Sequence, residues 1–153
     1  MANPSTTTYL RPTALERSLN RMVGALVGAG FGLRHNYLLQ VYGRKSGRMY
    51  STPVNLLEIG EKHYLVCPRG RAQWVRNAEA SGRVLLKKRR VQEFALSAVP
   101  DEQKPAILKE YLERYKTTVQ RYFPISAGSP PAAFAPYAAS YPVFDLRPTG
   151  EQR

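Results

Sequence analysis

The residues best suited to bind an anion lie in one short turn bracketed by glycines. The segment GRKSG places Arg44, Lys45 and Ser46 between Gly43 and Gly47. Successive backbone N–H groups in such a turn can point to one side and form an anion-binding nest. Arginine adds a forked donor for phosphate or carboxylate, lysine a mobile positive charge and serine a hydroxyl donor. These residues alone are equally typical of a solvated hairpin loop, so both interpretations stay open.

A second group of residues with binding chemistry follows the apolar segment that ends at Cys67. Arg69 and Gly70 lie in a short cationic loop. Trp74 and Asn77 stand three residues apart on the next predicted helix and therefore share a face. Each also has a structural interpretation, because a tryptophan can anchor a core and an asparagine can bond a helix end. Together the two segments predict two cationic loops and an aromatic–amide pair around one pocket.

Most catalytic chemistry has no support in the sequence. The two histidines, His35 and His63, lack cysteine or carboxylate neighbours at the spacing of a metal site. Cys67 has no Cys–His signature and is more typical of a small core residue. We therefore predict no metal site, and the sequence identifies no catalytic side chain.

The overall composition predicts an anionic partner. The 153 residues include 23 Lys and Arg against 11 Asp and Glu, which gives a net charge of +12. Such a balance attracts nucleic acid, an acidic membrane surface or a polyanionic small molecule. A single cysteine excludes an internal disulfide and suits a reducing cytoplasm. The length predicts one domain over residues 13–153 after a flexible terminus, residues 1–12.

A helix is predicted over residues 13–33. Thr13 and Glu16 form a capping box, and the apolar residues that follow keep helical spacing. Arg17 and Arg21 lie off the apolar stripe. The helix is expected either to cover one end of a core or to rest on an anionic membrane surface.

The pattern then changes to short strands separated by turns. Strands are predicted over residues 37–42, 48–58, 62–67, 83–88, 91–99 and 143–146. A crossover helix is predicted over residues 71–82, a longer helix after Pro100, and a turn and short helix in the tail from residue 124. Strands first, with helices at the ends and in one crossover, indicate an α+β domain built on a small antiparallel barrel of about six strands.

The segment LLQVYGRKSGRMYSTPVNLLEIGEKHYLVCPRG and the later WVRN resemble a known family. The resemblance is to the deazaflavin-dependent nitroreductases, small split β-barrel proteins that bind coenzyme F420. It covers roughly residues 37–99. Its motifs are the glycine-bracketed basic turn, a Thr-Pro step and a W-x-x-N helix.

The resemblance implies positions for the coenzyme. Arg44, Lys45, Ser46 and Gly47 would hold its phosphate and polyglutamate tail. Pro53 would lie beside the deazaflavin ring, and the other side would be lined by Arg69, Gly70, Trp74 and Asn77. An anionic tail is the kind of ligand that a nest with forked cations suits.

Two departures from the family pattern bear on these positions. Tyr50 stands where several relatives carry a basic residue, and the loop over residues 69–74 is shorter than in the nitroreductase itself. The tail site thus carries over better than the ring pocket. Relatives with shortened loops also include fatty-acid binders, which keeps a lipid-binding alternative open.

The leading functional hypothesis is a coenzyme F420-dependent reductase that transfers a hydride to a quinone, nitro compound or other electron-poor acceptor. The alternative is a non-catalytic protein that binds a fatty acid or other amphiphile at a membrane surface. FMN in place of F420 also stays open, as does a monomer or a homodimer. Nucleic-acid binding, suggested by the charge and by the basic run at residues 87–90, is the least favoured, because no recognition motif accompanies it. The expected location is the cytoplasm, with contact at the inner membrane face.

Overall fold

The computed structural model describes residues 36–152, which form seven strands, two α-helices and four short 3-10 helices. The strands are β1 Asn36–Tyr42, β2 Met49–Asn55, β3 Leu57–Ile59, β4 Lys62–Val66, β5 Arg83–Lys87, β6 Val91–Ala98 and β7 Val143–Gln152. The α-helices are α1 Gln73–Ser81 and α2 Lys104–Val119, and the 3-10 helices are Asp101–Gln103, Gln120–Tyr122, Pro131–Ala133 and Ala135–Ser140. The terminus and the helix predicted over residues 1–33 lie outside the described residues.

The sheet is curled into a split barrel. All its pairings are antiparallel, and the strand order is β2-β1-β5-β6-β7-β4-β3. The edge strands β2 and β3 are joined by Leu56 alone. Because two Cα–Cα steps span at most about 7.6 Å, the two edges must approach each other. The α+β split-barrel prediction is confirmed.

The prediction of one strand over residues 48–58 is wrong. The chain breaks at Leu56, after which β2 pairs with β1 and β3 pairs with β4. Leu56 and Leu57 are both buried, so the strict alternation of a half-buried strand is lost there. This break produces seven strands instead of six and lets a single segment serve both edges.

The barrel interior is apolar, and α1 packs against it. Leu39 and Val41 of β1 point inward with Phe94 and Phe144, while Val75 and Ala78 of α1 belong to the same cluster. This packing places the remaining face of α1 beside the end of β1, where the chain turns into β2.

A second core lies between β3, β4 and β7 and the C-terminal half of the chain. It is built largely by α2 and the 3-10 helices; its largest members are Tyr111, Phe123, Phe134 and Tyr141. The Tyr115 hydroxyl donates to the Leu56 carbonyl at 2.5 Å, and Arg114 Nη1 donates to the Glu58 carbonyl at 2.7 Å. Helix α2 therefore stabilises the connection between β2 and β3 through side-chain hydrogen bonds to its backbone.

The predicted crossover helix and the helix after Pro100 are both present. Helix α1 ends at Gly82, whose left-handed φ of 72° lets its N–H bond the Ala78 carbonyl at 2.7 Å. Within residues 36–152, no helix is long and apolar enough to cross a membrane.

Candidate functional site

The glycine-bracketed segment forms the connection between β1 and β2. The Gly43 N–H donates to the Arg48 carbonyl at 2.7 Å, and the Gly47 N–H donates to the Gly43 carbonyl at 2.9 Å. Gly47 has a φ of 70°, which favours glycine. Gly43 is needed for space, since a Cβ there would lie 2.7 Å from the Tyr50 ring and 2.8 Å from Ser46 Oγ. The Ser46 hydroxyl accepts the Arg48 N–H at 3.2 Å and thereby supports the turn.

Arg44 fastens this turn to α1. Its backbone N–H donates to Asn77 Oδ1 at 3.1 Å, and its Nη1 donates to the same oxygen at 2.8 Å. Nη1 also lies 3.1 Å from Gln73 Oε1. Asn77 is only 6% exposed. Two segments 33 residues apart in sequence are thus held together by one buried amide oxygen.

The turn and α1 enclose a cleft of about 590 Å³, which we call the cationic cleft. Within residues 36–152, its charged lining residues are Arg44, Lys45 and Arg76, and no aspartate or glutamate lines it. Its remaining lining residues are Val41, Gly43, Ser46, Tyr50, Ser51, Thr52, Ala72, Gln73, Trp74 and Asn77. Such a cleft concentrates positive potential and attracts an anionic ligand.

A second cavity of about 330 Å³ adjoins the cationic cleft, with which it shares Thr52, Ala72 and Trp74. The Trp74 ring packs against Phe144 at a centroid distance of 6.1 Å. Among residues 36–152, Arg69 is the only charged residue that lines the second cavity. The other lining residues are Asn36, Pro53, Val54, Asn55, Val66, Cys67, Pro68, Tyr111, Thr118 and Val119.

The ionisable groups of the second cavity other than Arg69 are neutral at physiological pH. Burial, which is the main influence on the Cys67 thiol, raises its pKa to about 11. Burial likewise raises the pKa of the Tyr111 phenol well above its usual range. Arg69 stacks over the Tyr122 ring at 5.2 Å, which holds its guanidinium at the cavity wall. Apart from Arg69, the lining that the structure describes is therefore uncharged.

The residues predicted for one pocket are divided between these two spaces. Arg44, Lys45, Ser46 and Asn77 line the cationic cleft, Pro53 and Arg69 line the second cavity, and Trp74 lines both. Gly47 and Gly70 line neither; both have positive φ and shape the turns that carry the others.

Sequence reasoning missed Arg76, which lines the cationic cleft from α1. It also missed Tyr111, which reaches the second cavity from α2. The only signal for Arg76 was its place inside the W-x-x-N motif, where an arginine is equally typical of a solvated helix face. Across residues 36–152, no group of three or more His, Cys, Asp or Glu side chains could hold a metal.

Residues 14–126 of the chain match the F420H(2)-dependent quinone reductase family. The chain therefore belongs to that family, in agreement with the split barrel and its resemblance to deazaflavin-dependent proteins. A search of curated proteins finds no match.

Solved structures share the fold at low sequence identity. A protein of unknown function from Agrobacterium tumefaciens superposes with a TM-score of 0.59 at 14% identity, over 94% of this chain and 61% of its own. The chain thus spans about three fifths of that protein. An F420-H2 dependent reductase (FDR-A) gives 0.51 at 19% identity, over 74% of this chain and 95% of its own. The heme storage protein HutZ from Vibrio cholerae superposes with a TM-score of 0.55 at 12% identity, over 78% of this chain and 85% of its own. At these identities the likeness extends to the fold alone.

Proposed function

We propose that the protein is a coenzyme F420-dependent oxidoreductase that transfers a hydride from the reduced deazaflavin to an electron-poor organic acceptor. The observation that carries the proposal is the cationic cleft joined through Trp74 to a second cavity whose described lining, within residues 36–152, has no negative charge. A ligand with an anionic tail and a flat uncharged ring matches both parts. Membership of the F420H(2)-dependent quinone reductase family supports the same conclusion.

The cationic cleft would hold the phosphate and polyglutamate tail. Arg44 and Lys45 supply positive charge there, while Ser46 and Gly47 fix the shape of the turn between them. The exposed ends of these cations bind anions through charge-assisted hydrogen bonds.

The second cavity would hold the deazaflavin ring. Pro53 lies on one wall, and Arg69 and Trp74 line it as well; Gly70 shapes the loop and Asn77 holds α1 to the turn. When bound, the coenzyme supplies the hydride. The protein's own residues bind the coenzyme, orient it and exclude water. The Arg69 guanidinium, which lines this cavity, would stabilise negative charge that develops on an acceptor oxygen.

The acceptor proposed first is a quinone, as the family name indicates. Nitro compounds and other electron-poor molecules have the same requirement, since each gains negative charge on oxygen when a hydride is added. The neutral Cys67 and Tyr111 side chains in the second cavity would not repel that charge.

An amphiphile binder is the second candidate, and the same two cavities favour it. A fatty acid could place its carboxylate on the cations of the cleft and its chain against Pro53, Val54 and Val119 of the second cavity. FMN, with one phosphate and a flat ring, is the remaining alternative for the cofactor. A cytoplasmic location, contact with the membrane face and the choice of monomer or homodimer stay predictions from the sequence.

The deciding experiment is anaerobic mixing of the purified protein with reduced F420 and a soluble quinone. We expect catalytic oxidation of the coenzyme, followed by its absorbance, and no such reaction with reduced FMN. Binding is measured separately by calorimetry with F420, FMN and a fatty acid. A protein that binds fatty acid and neither cofactor would be an amphiphile binder, and the reductase proposal would be wrong.

A further inference from the structure

The three cations of the cationic cleft differ in what already binds them. Arg44 Nη1 donates to both Asn77 and Gln73. By contrast, the side chains of Lys45 and Arg76 have no hydrogen-bond or ion-pair partner within residues 36–152. Arg44 is therefore partly committed to joining the turn and the helix, whereas the other two cations are available to a ligand.

Arg76 is left without a carboxylate although an acid lies one turn further along α1. That acid, Glu79, accepts a hydrogen bond from Arg71 Nη2 at 2.6 Å. On the helix, Arg76 lies three residues after Gln73, so the two share the face that lines the cleft. A guanidinium beside two other cations, with no acid among the described lining residues, is stabilised when an anion binds between them.

From this arrangement we infer that Arg76 and Lys45 bind the anionic part of the ligand from opposite walls of the cleft, and that Arg44 with Asn77 is a positioning pair. The inference rests on the proposed function and deepens it. The ligand chemistry is a phosphate or carboxylate, which a guanidinium binds through two parallel hydrogen bonds and an ammonium binds as a point charge. Within the coenzyme, that part is the phosphate and glutamate tail.

Three single-charge variants test the ligand contacts. Arg76→Ala and Lys45→Ala each remove one cation from the cleft. Arg89→Ala removes one exposed cation from the turn between β5 and β6, outside the lining of both cavities, and is the matched control. Calorimetry gives Kd for the whole coenzyme and for the deazaflavin fragment that lacks phosphate and glutamates, at low and at physiological salt.

We expect Arg76→Ala and Lys45→Ala each to weaken binding of the whole coenzyme by about ten- to a hundredfold. The affinity of Arg76→Lys for the whole coenzyme should lie between those of the parent and of Arg76→Ala. The affinity of Arg89→Ala should stay within about twofold of the parent's, because exposed charges far from the ligand are screened by salt. None of the variants should alter the affinity for the fragment, and added salt should weaken binding of the whole coenzyme only.

Thermal unfolding separates the positioning role from the binding role. Arg44→Ala removes a bond to buried Asn77 and should lower Tm by about 2–4 °C. The exposed Arg76 side chain makes no hydrogen bond or ion pair within residues 36–152, so Arg76→Ala should leave Tm unchanged.

The outcomes distinguish this inference from the proposed function. If the parent binds the whole coenzyme and Arg76→Ala behaves like Arg89→Ala, the role of Arg76 is wrong while the reductase proposal stands. Equal loss for the fragment and the whole coenzyme would also overturn it, since Arg76 would then act on the ring. If the parent binds neither ligand, both the inference and the proposed function fail.

Discussion

The cationic cleft and the second cavity are neighbours built on opposite electrostatic principles. In the part of the chain that the structure describes, the cleft is lined by three cations and no acid. The described lining of the second cavity has Arg69 as its only charge, beside a thiol and a phenol that burial keeps neutral. The two spaces share Trp74, from a helix that also anchors the turn through Asn77. The charge of the cleft and the lining of the second cavity can therefore be altered separately, although one short helix contributes to both.

The largest expected effect comes from removing charge in the cleft. Lys45→Ala combined with Arg76→Ala removes two charge-assisted contacts worth about 1.5–3 kcal/mol each. Coenzyme affinity should fall on the order of a hundredfold or more. Titration of the coenzyme by fluorescence measures it. The control is a double variant of Arg89 and Arg90, two exposed cations in the turn after β5. Equal binding by parent and cleft variant would contradict the account.

The next effect tests the neutral wall of the second cavity. Burial raises the pKa of the Cys67 thiol to about 11 in the folded protein, against 9.0 for an exposed thiol. Between these values the unfolded chain has lost a proton that the folded chain keeps, so the unfolding free energy falls as pH rises. The loss should reach about 2–3 kcal/mol by pH 11.

Denaturant unfolding between pH 8 and 11 measures this loss, and Cys67→Ala isolates it from the other groups that titrate there. The variant should show a shallower decline than the parent. Parallel curves for the two proteins would mean that the thiol is not buried as described.

A smaller effect is expected at the joint between the two spaces. Asn77→Ala removes the acceptor shared by the Arg44 N–H and Nη1 and should lower the unfolding free energy by about 1–3 kcal/mol. Asn77→Asp keeps an acceptor and should retain most of the stability. Chemical denaturation measures both, and an unchanged midpoint in Asn77→Ala would show that the turn does not depend on the helix.

The smallest effect concerns the turn backbone. Gly47→Ala meets no atom within 4 Å, so its cost is that of a left-handed alanine, about 1–2 kcal/mol. Gly60→Ala, with a φ of 61° and equal space, is the matched control in the turn between β3 and β4. Both variants should lose a similar amount of unfolding free energy, but only Gly47→Ala should weaken binding of the coenzyme. If both variants bound the coenzyme with similar affinity, the conformation of the turn at Gly47 would have no role in binding.

Local sequence signals predicted the fold well where the physics is local. The glycine-bracketed turn, the helix that ends at Gly82 and the helix after Pro100 all follow from turn and capping chemistry. The break at Leu56 did not, because β2 and β3 form one continuous strand-like run and only tertiary pairing separates them.

The candidate site shows the same limit. The sequence indicated the cations of the turn and the pair Trp74 and Asn77, yet it could not show that Arg44 bonds Asn77, since that contact joins distant segments. Nor could it show that Glu79 is taken by Arg71, which leaves Arg76 available in the cleft. Such pairings depend on how the barrel places α1.

The central claim is that the two spaces divide one ligand between them, and a crystal structure of the complex with F420 tests it most directly. The account predicts the phosphate and glutamates beside Lys45 and Arg76, and the deazaflavin ring beyond Trp74 against Pro53. A ring bound in the cationic cleft, or an acyl chain in the second cavity with no coenzyme bound, would contradict it.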